Sequence, residues 1–111
     1  MPTPTPTPQP KPNVELVDLR GEWSTEKVST GLLSSETRYH YTITATYYNK
    51  GDADAVMELT YSMTYTQNGS ERTIEDTQIV QLKAGEVKEF TCTLRNVPNI
   101  TGTYGCKYKY L

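Results

Sequence analysis

Between Tyr39 and Tyr65 the chain alternates. Tyr39, Tyr41, Ile43, Ala45 and Tyr47 fall on one parity, and Arg38, His40, Thr42, Thr44 and Thr46 on the other. Beyond Asn49-Lys50-Gly51-Asp52 the alternation resumes, with Ala55, Met57, Leu59, Tyr61, Met63 and Tyr65 opposing Glu58, Thr60, Ser62 and Thr64. A period of two held this long marks half-buried strands, because a helix would spread the same residues around its circumference. The many Thr and Tyr residues agree, since branched and aromatic side chains suit a pleated surface. The Asn-x-Gly-Asp corner tolerates positive φ and fits either a hairpin or an arch between two sheets. In both cases the odd-numbered residues point into the core.

The flanking segments extend this pattern. With 111 residues there is room for one domain and a modest core. Residues 1–12 carry a proline at every second position from Pro2, which fixes φ and removes backbone donors. They read as an extended Pro/Thr linker, reaching roughly 35 Å at polyproline rise, ahead of a folded domain over 13–111. In Val14 to Leu19 the apolar phase slips between Leu16 and Val17, which predicts a bulge or a strand that changes sheets. Gly21 punctuates, and Trp23, the only tryptophan, reads as core filler. Gly31 to Ser35 reads as a loop with Leu32 or Leu33 tucked inward. Asn68-Gly69 predicts a type I′ hairpin, followed by a strand over Arg72 to Leu82 whose Glu75, Asp76 and Gln78 suit a sheet edge. A turn at Gly85 then leads to Phe90, Cys92 and Leu94 in phase. A loop over Asn96 to Gly102 precedes Tyr104, Cys106, Tyr108 and Tyr110, also in phase. About seven short strands with turn signals between them predict an all-β fold, an immunoglobulin-like antiparallel β-sandwich, with a barrel as the alternative.

The chemistry is sparse. A net charge of -2 gives no reason to expect nucleic acid or an anionic membrane. No apolar run approaches the roughly 18 residues of a membrane span. No secretory leader is present, so export implies a signal already removed or lying upstream. His40 stands alone on an outward phase and reads as solvated, not as a metal ligand. Glu75 and Asp76 are adjacent in a strand, point to opposite faces and cannot converge on one substrate atom. No Ser-His-acid set, metal cluster or phosphate loop is present, so the sequence points to no enzyme and no cofactor. Asn68-Gly69-Ser70 and Asn99-Ile100-Thr101 fit the glycosylation acceptor pattern.

Cys92 and Cys106 mirror each other about Asn99 and share the apolar phase of their strands. A hairpin there would set them opposite each other. As a disulfide they would close a loop of about 15 residues and contribute on the order of 3 kcal/mol; as reduced thiols they would be small core hydrophobes. The spacing favours the bridge.

Thr42 through Ala55, with Asn49-Lys50-Gly51 at its centre, resembles the "strand, Asn-x-Gly, then Ala" corner of CARDB-like and FxLYD-like domains. Leu82-Lys83-Ala84-Gly85-Glu86 through Phe90 is similar to their later "Leu-x-Pro-Gly-Glu … Phe" turn, with Ala84 in place of the proline. These are immunoglobulin-like domains of prokaryotic exported and cell-surface proteins. The resemblance implies a non-catalytic, extracellular interaction or structural module on a Pro/Thr stalk, whose partner is a protein or glycan at the cell surface. Two other functions are compatible with a small sandwich. One is a proteinase-inhibitor-like role, for which Asn96, Asn99 and Ile100 form the candidate interaction loop. The other is carbohydrate binding through Tyr48 and Tyr110 as candidate exposed aromatics.

Overall fold

The computed structural model describes residues 9–111, so most of the predicted linker, residues 1–8, lies outside the described residues. Six strands follow in order: β1 (Val14–Ser29), β2 (Ser35–Asn49), β3 (Ala55–Gln67), β4 (Ser70–Leu82), β5 (Val87–Leu94) and β6 (Gly102–Tyr110). They form two antiparallel three-stranded sheets, β1-β2-β5 and β4-β3-β6. The sheets stack with β5 over β4 and β6 over β2 and β1.

The two alternating runs become the central strand of each sheet. Ile43, Ala45 and Tyr47 of β2 face Met57, Leu59 and Tyr61 of β3, and all six are fully buried. The opposite parity faces outward, where threonines bond across strands: Thr42 to Thr93 at 2.9 Å, Thr44 to Thr91 at 3.3 Å and Thr64 to Thr73 at 3.0 Å. Asn68 and Gly69 both take positive φ, 53° and 77°, as a type I′ hairpin requires. The next strand, β4, is an edge as its charges suggested.

The expected phase slip is a register shift in β1 between Leu16 and Asp18. Past it β1 runs without interruption to Ser29, so the described residues hold six strands and not about seven. Gly21 does not break the strand because the Tyr41 ring lies across it; a Cβ there would sit 2.0 Å from the Tyr41 hydroxyl. An aromatic ring laid over an edge glycine replaces the packing that the missing side chain would provide.

The Asn49–Asp52 corner is the arch between sheets. Asn49 is fully buried, and its side chain meets four backbone groups. Its Oδ1 accepts from the Asn13 and Gly51 N–H groups at 3.1 and 3.0 Å, and its Nδ2 donates to the Ala53 and Leu82 carbonyls at 2.8 and 3.1 Å. Its own N–H and carbonyl bond Glu86 and Gly85. One side chain thus ties the start of the domain, the arch and the β4–β5 turn.

The cysteines correct the sequence reading. β5 pairs with β2 and β6 with β3, so no hairpin forms about Asn99; Cys92 stands opposite Ile43 and Cys106 opposite Tyr61, in different sheets. Both are free thiols. Each sulfur has its own partner: Cys92 Sγ lies 3.6 Å from Asp76 Oδ2, and the Tyr47 hydroxyl donates to Cys106 Sγ at 3.3 Å. The symmetry in numbering failed because each strand found a longer alternating partner across a sheet crossover.

Candidate functional site

The feature that departs most from a closed sandwich lies where the sheets end. β5 stops at Leu94, opposite Tyr41, and β6 starts at Gly102, opposite Tyr65. β1 and β2 continue without a third strand, paired from Ser24↔His40 to Ser29↔Ser35, as a two-stranded arm about 17 Å long at ordinary strand rise, with residues 96–99 lying along β2 from Glu36 to Tyr39. The tip, Thr30–Ser34, is closed by the Thr30 N–H donating to the Ser34 carbonyl and by a hydroxyl contact between the same residues. Leu32 and Leu33 at this tip are 103% and 102% exposed, so neither tucks inward as expected. The arm carries them beyond any surface they could cover.

At the arm's root, Trp23 packs edge-on against Tyr39 and Tyr41, with centroids 6.5 and 5.0 Å apart, and Tyr41 touches Tyr104 at 5.3 Å. Trp23 has the inward parity, yet it is 37% exposed because it sits on β1, the edge strand of its sheet. It is a rim residue, which corrects its assignment to the core.

His40 is also corrected. It is buried, 6% exposed, and not solvated. Its Nδ1 accepts the Asn96 N–H at 3.1 Å, which leaves the proton on Nε2 to bond Glu26 Oε2 at 2.9 Å. The hydrogen bond from His40 holds the Glu26 carboxyl below its ordinary pKa, with Arg95 and Arg38 adding to the effect. Sequence reasoning missed this link because Glu26 and Asn96 come from a neighbouring strand and a distant loop.

The candidate loop is positioned by that histidine. Asn96 takes φ +56°, and the next N–H, of Val97, donates to the Tyr39 carbonyl at 2.8 Å while the Val97 side chain is buried. Asn96 and Asn99 line a groove of about 510 Å³ with Glu36, Arg38, Tyr39 and Pro98; Ile100 is half-buried and is not part of its lining. The loop therefore lies flat against β2 and does not protrude as a segment that enters a protease cleft would. Of the two candidate aromatics, Tyr48 is half-buried on the outer face of its sheet. Tyr110 is 42% exposed, and its hydroxyl accepts the Val14 N–H at 2.9 Å.

No family model, curated protein or solved structure matches this chain. Among the described residues no group of three His, Cys, Asp or Glu side chains could hold a metal ion, and no helix is long and apolar enough to cross a membrane.

The ionisable groups within the sandwich are tuned away from reactivity. Burial, with Asp76 beside it, pushes the Cys92 thiol up to about 11, and burial also raises Cys106. Burial raises the Tyr47 and Tyr61 phenols well above their usual range. These groups must be neutral in the folded state, so their contribution to stability is complete below their unfolded pKa values. It is lost as pH rises through the folded ones. Stability is therefore expected to hold to about pH 8.5 and fall steeply from there through pH 11. Urea melts across this range check the loss. Ultraviolet titration should show Tyr47 and Tyr61 ionising only as the fold opens.

Proposed function

We propose that this chain is a non-catalytic interaction module of an exported or cell-surface protein, carried on its Pro/Thr linker and binding through the end of the β1–β2 arm. The observation that carries this reading is the pair of fully exposed leucines on a projecting, uncharged tip, Ser29 to Ser35. Burying such a side chain contributes about 1.5–3 kcal/mol, so two adjacent leucines on a projecting arm are anchors suited to an apolar pocket on a protein. A glycan is less well served at this tip, because sugars stack on open aromatic faces and Ser29 to Ser35 carries no aromatic residue. An immunoglobulin-like assignment is supported by two stacked antiparallel sheets joined by crossovers, and the resemblance to CARDB-like domains supports surface display.

Two measurements test the reading. Fractionation of source cells with an antibody to this chain should place it outside the cytosol; a cytosolic pool alone overturns display. A photo-crosslinking residue at Leu33 should capture one polypeptide from the cell surface. Excess unlabelled protein should compete this capture away, and a Leu32→Ser, Leu33→Ser double variant should not. Equal competition by both overturns the tip as the binding end.

A further inference from the structure

We propose that the free edge of β1 is a self-association surface, at which a second copy of this chain pairs antiparallel about Gly21 and joins the two β1-β2-β5 sheets into one of six strands. β1 is 16 residues long and pairs only with β2, so its outer row of backbone donors and acceptors has no strand partner among the described residues. Such an edge is a template for another strand.

The side of the sandwich bounded by β1 and β6 is also unfinished. Trp23, Tyr104 and Tyr108 lie along this lip, 37%, 37% and 39% exposed, with half-buried Leu19 between the sheets. The opposite lip, between β4 and β5, places Arg72, Asp76, Gln78 and Lys88 on the inward parity. Only one side of the sandwich therefore leaves a row of aromatic rings uncovered.

The charges select the occupant and the register. A twofold axis normal to the sheet keeps each face on its own side, so paired residues must share parity and the axis must pass through a residue. Centred on Gly21, Arg20 meets the second copy's Glu22 and Glu22 meets its Arg20 on the outer face. On the inner face Leu19 meets Trp23, twice. Pairing of this kind spans Asp18 to Ser24 and stops at the bulge beyond Asp18. A centre on Trp23 would instead turn Arg20 toward Glu26, already held by His40, and set Leu19 against Lys27. In the single chain Arg20 rests on Asp18 and Glu89 with all three side chains more than half exposed, so it is free to turn. The other edges of the β4-β3-β6 sheet do not self-pair this way: β6 carries Lys107 and Lys109 on its outer face, and β4 carries Glu71 and Glu75.

Sedimentation velocity of the full chain, from micromolar to near-millimolar concentration, tests the proposal. The wild type should form a reversible dimer. Arg20→Glu and Glu22→Arg, each checked for folding by its thermal melt, should weaken it by about tenfold or more, since each change sets like charges across both pairs. An equimolar mixture of the two should regain association. The double variant should dimerise with itself but not with the wild type, a result that stands even where a single variant folds poorly. A wild type that stays monomeric throughout overturns the proposal. So do single variants that dimerise undiminished, or a double variant that mixes freely with the wild type.

Discussion

Replacing Asn49 with Ala is expected to destabilise the protein by about 3–5 kcal/mol. The reason is the number of backbone groups that one amide satisfies. The N–H groups of Asn13 and Gly51 and the carbonyls of Ala53 and Leu82 all lose a partner, in a place where Asn49 itself has no exposure. A buried polar group left unpaired costs more than its hydrogen bond contributed, and several are stranded together. Asp at this position restores the acceptor but not the donor and adds a buried charge, so it should not rescue. Asn99→Ala, at an exposed loop position, should lie within about 0.5 kcal/mol of wild type. Urea melts of the three variants decide the matter: a loss below about 1 kcal/mol for Asn49→Ala would show that water replaces the amide.

The second large effect is at Leu59. It is fully buried at the centre of β3, flanked across the sheet by Gln78 and Tyr108. Leu59→Ala should cost about 2–5 kcal/mol, through lost burial and the cavity left behind. Its neighbour Thr60 points outward, and Thr60→Ala should cost about 0.5 kcal/mol or less. Against a total that is typically about 5–15 kcal/mol, the first loss would leave a marginal fold. Equal midpoints in denaturant would contradict the facing of β3.

Both residues show what could be read in the chain and what could not. The facing of Leu59 was legible, because a period of two is a local property and both central strands keep it for five or six repeats. The same holds for the Asn68-Gly69 hairpin and for the bulge after Leu16, where the break in phase is itself the signal. The role of Asn49 was not legible beyond a turn, since its partners come from residues 13, 51, 53 and 82. Gly21 looked like a strand break because the ring that covers it belongs to Tyr41, on the neighbouring strand. His40 looked solvated because parity says which face a residue takes and nothing about what crosses that face. The cysteine arithmetic failed for a related reason: numbering symmetry describes a hairpin only where the two strands lie in one sheet, and here they do not.

The tie at Asn49 also bears on the order in which the chain assembles. The β1–β2 and β3–β4 hairpins can form from neighbouring segments, but β5 must find β2 and β6 must find β3 across intervening sequence. A fold dominated by such distant pairings reaches its native state in milliseconds to seconds, not microseconds. Gly51 and Ala53 are local to Asn49, but the Asn13 N–H and the Leu82 carbonyl reach it only once β1 and the end of β4 are seated against the arch. Interactions completed that late are absent from the transition state, so removing them leaves the refolding rate almost unchanged and accelerates escape from the native state. Asn49 would then govern how long a folded molecule survives, and hardly at all how quickly it arrives.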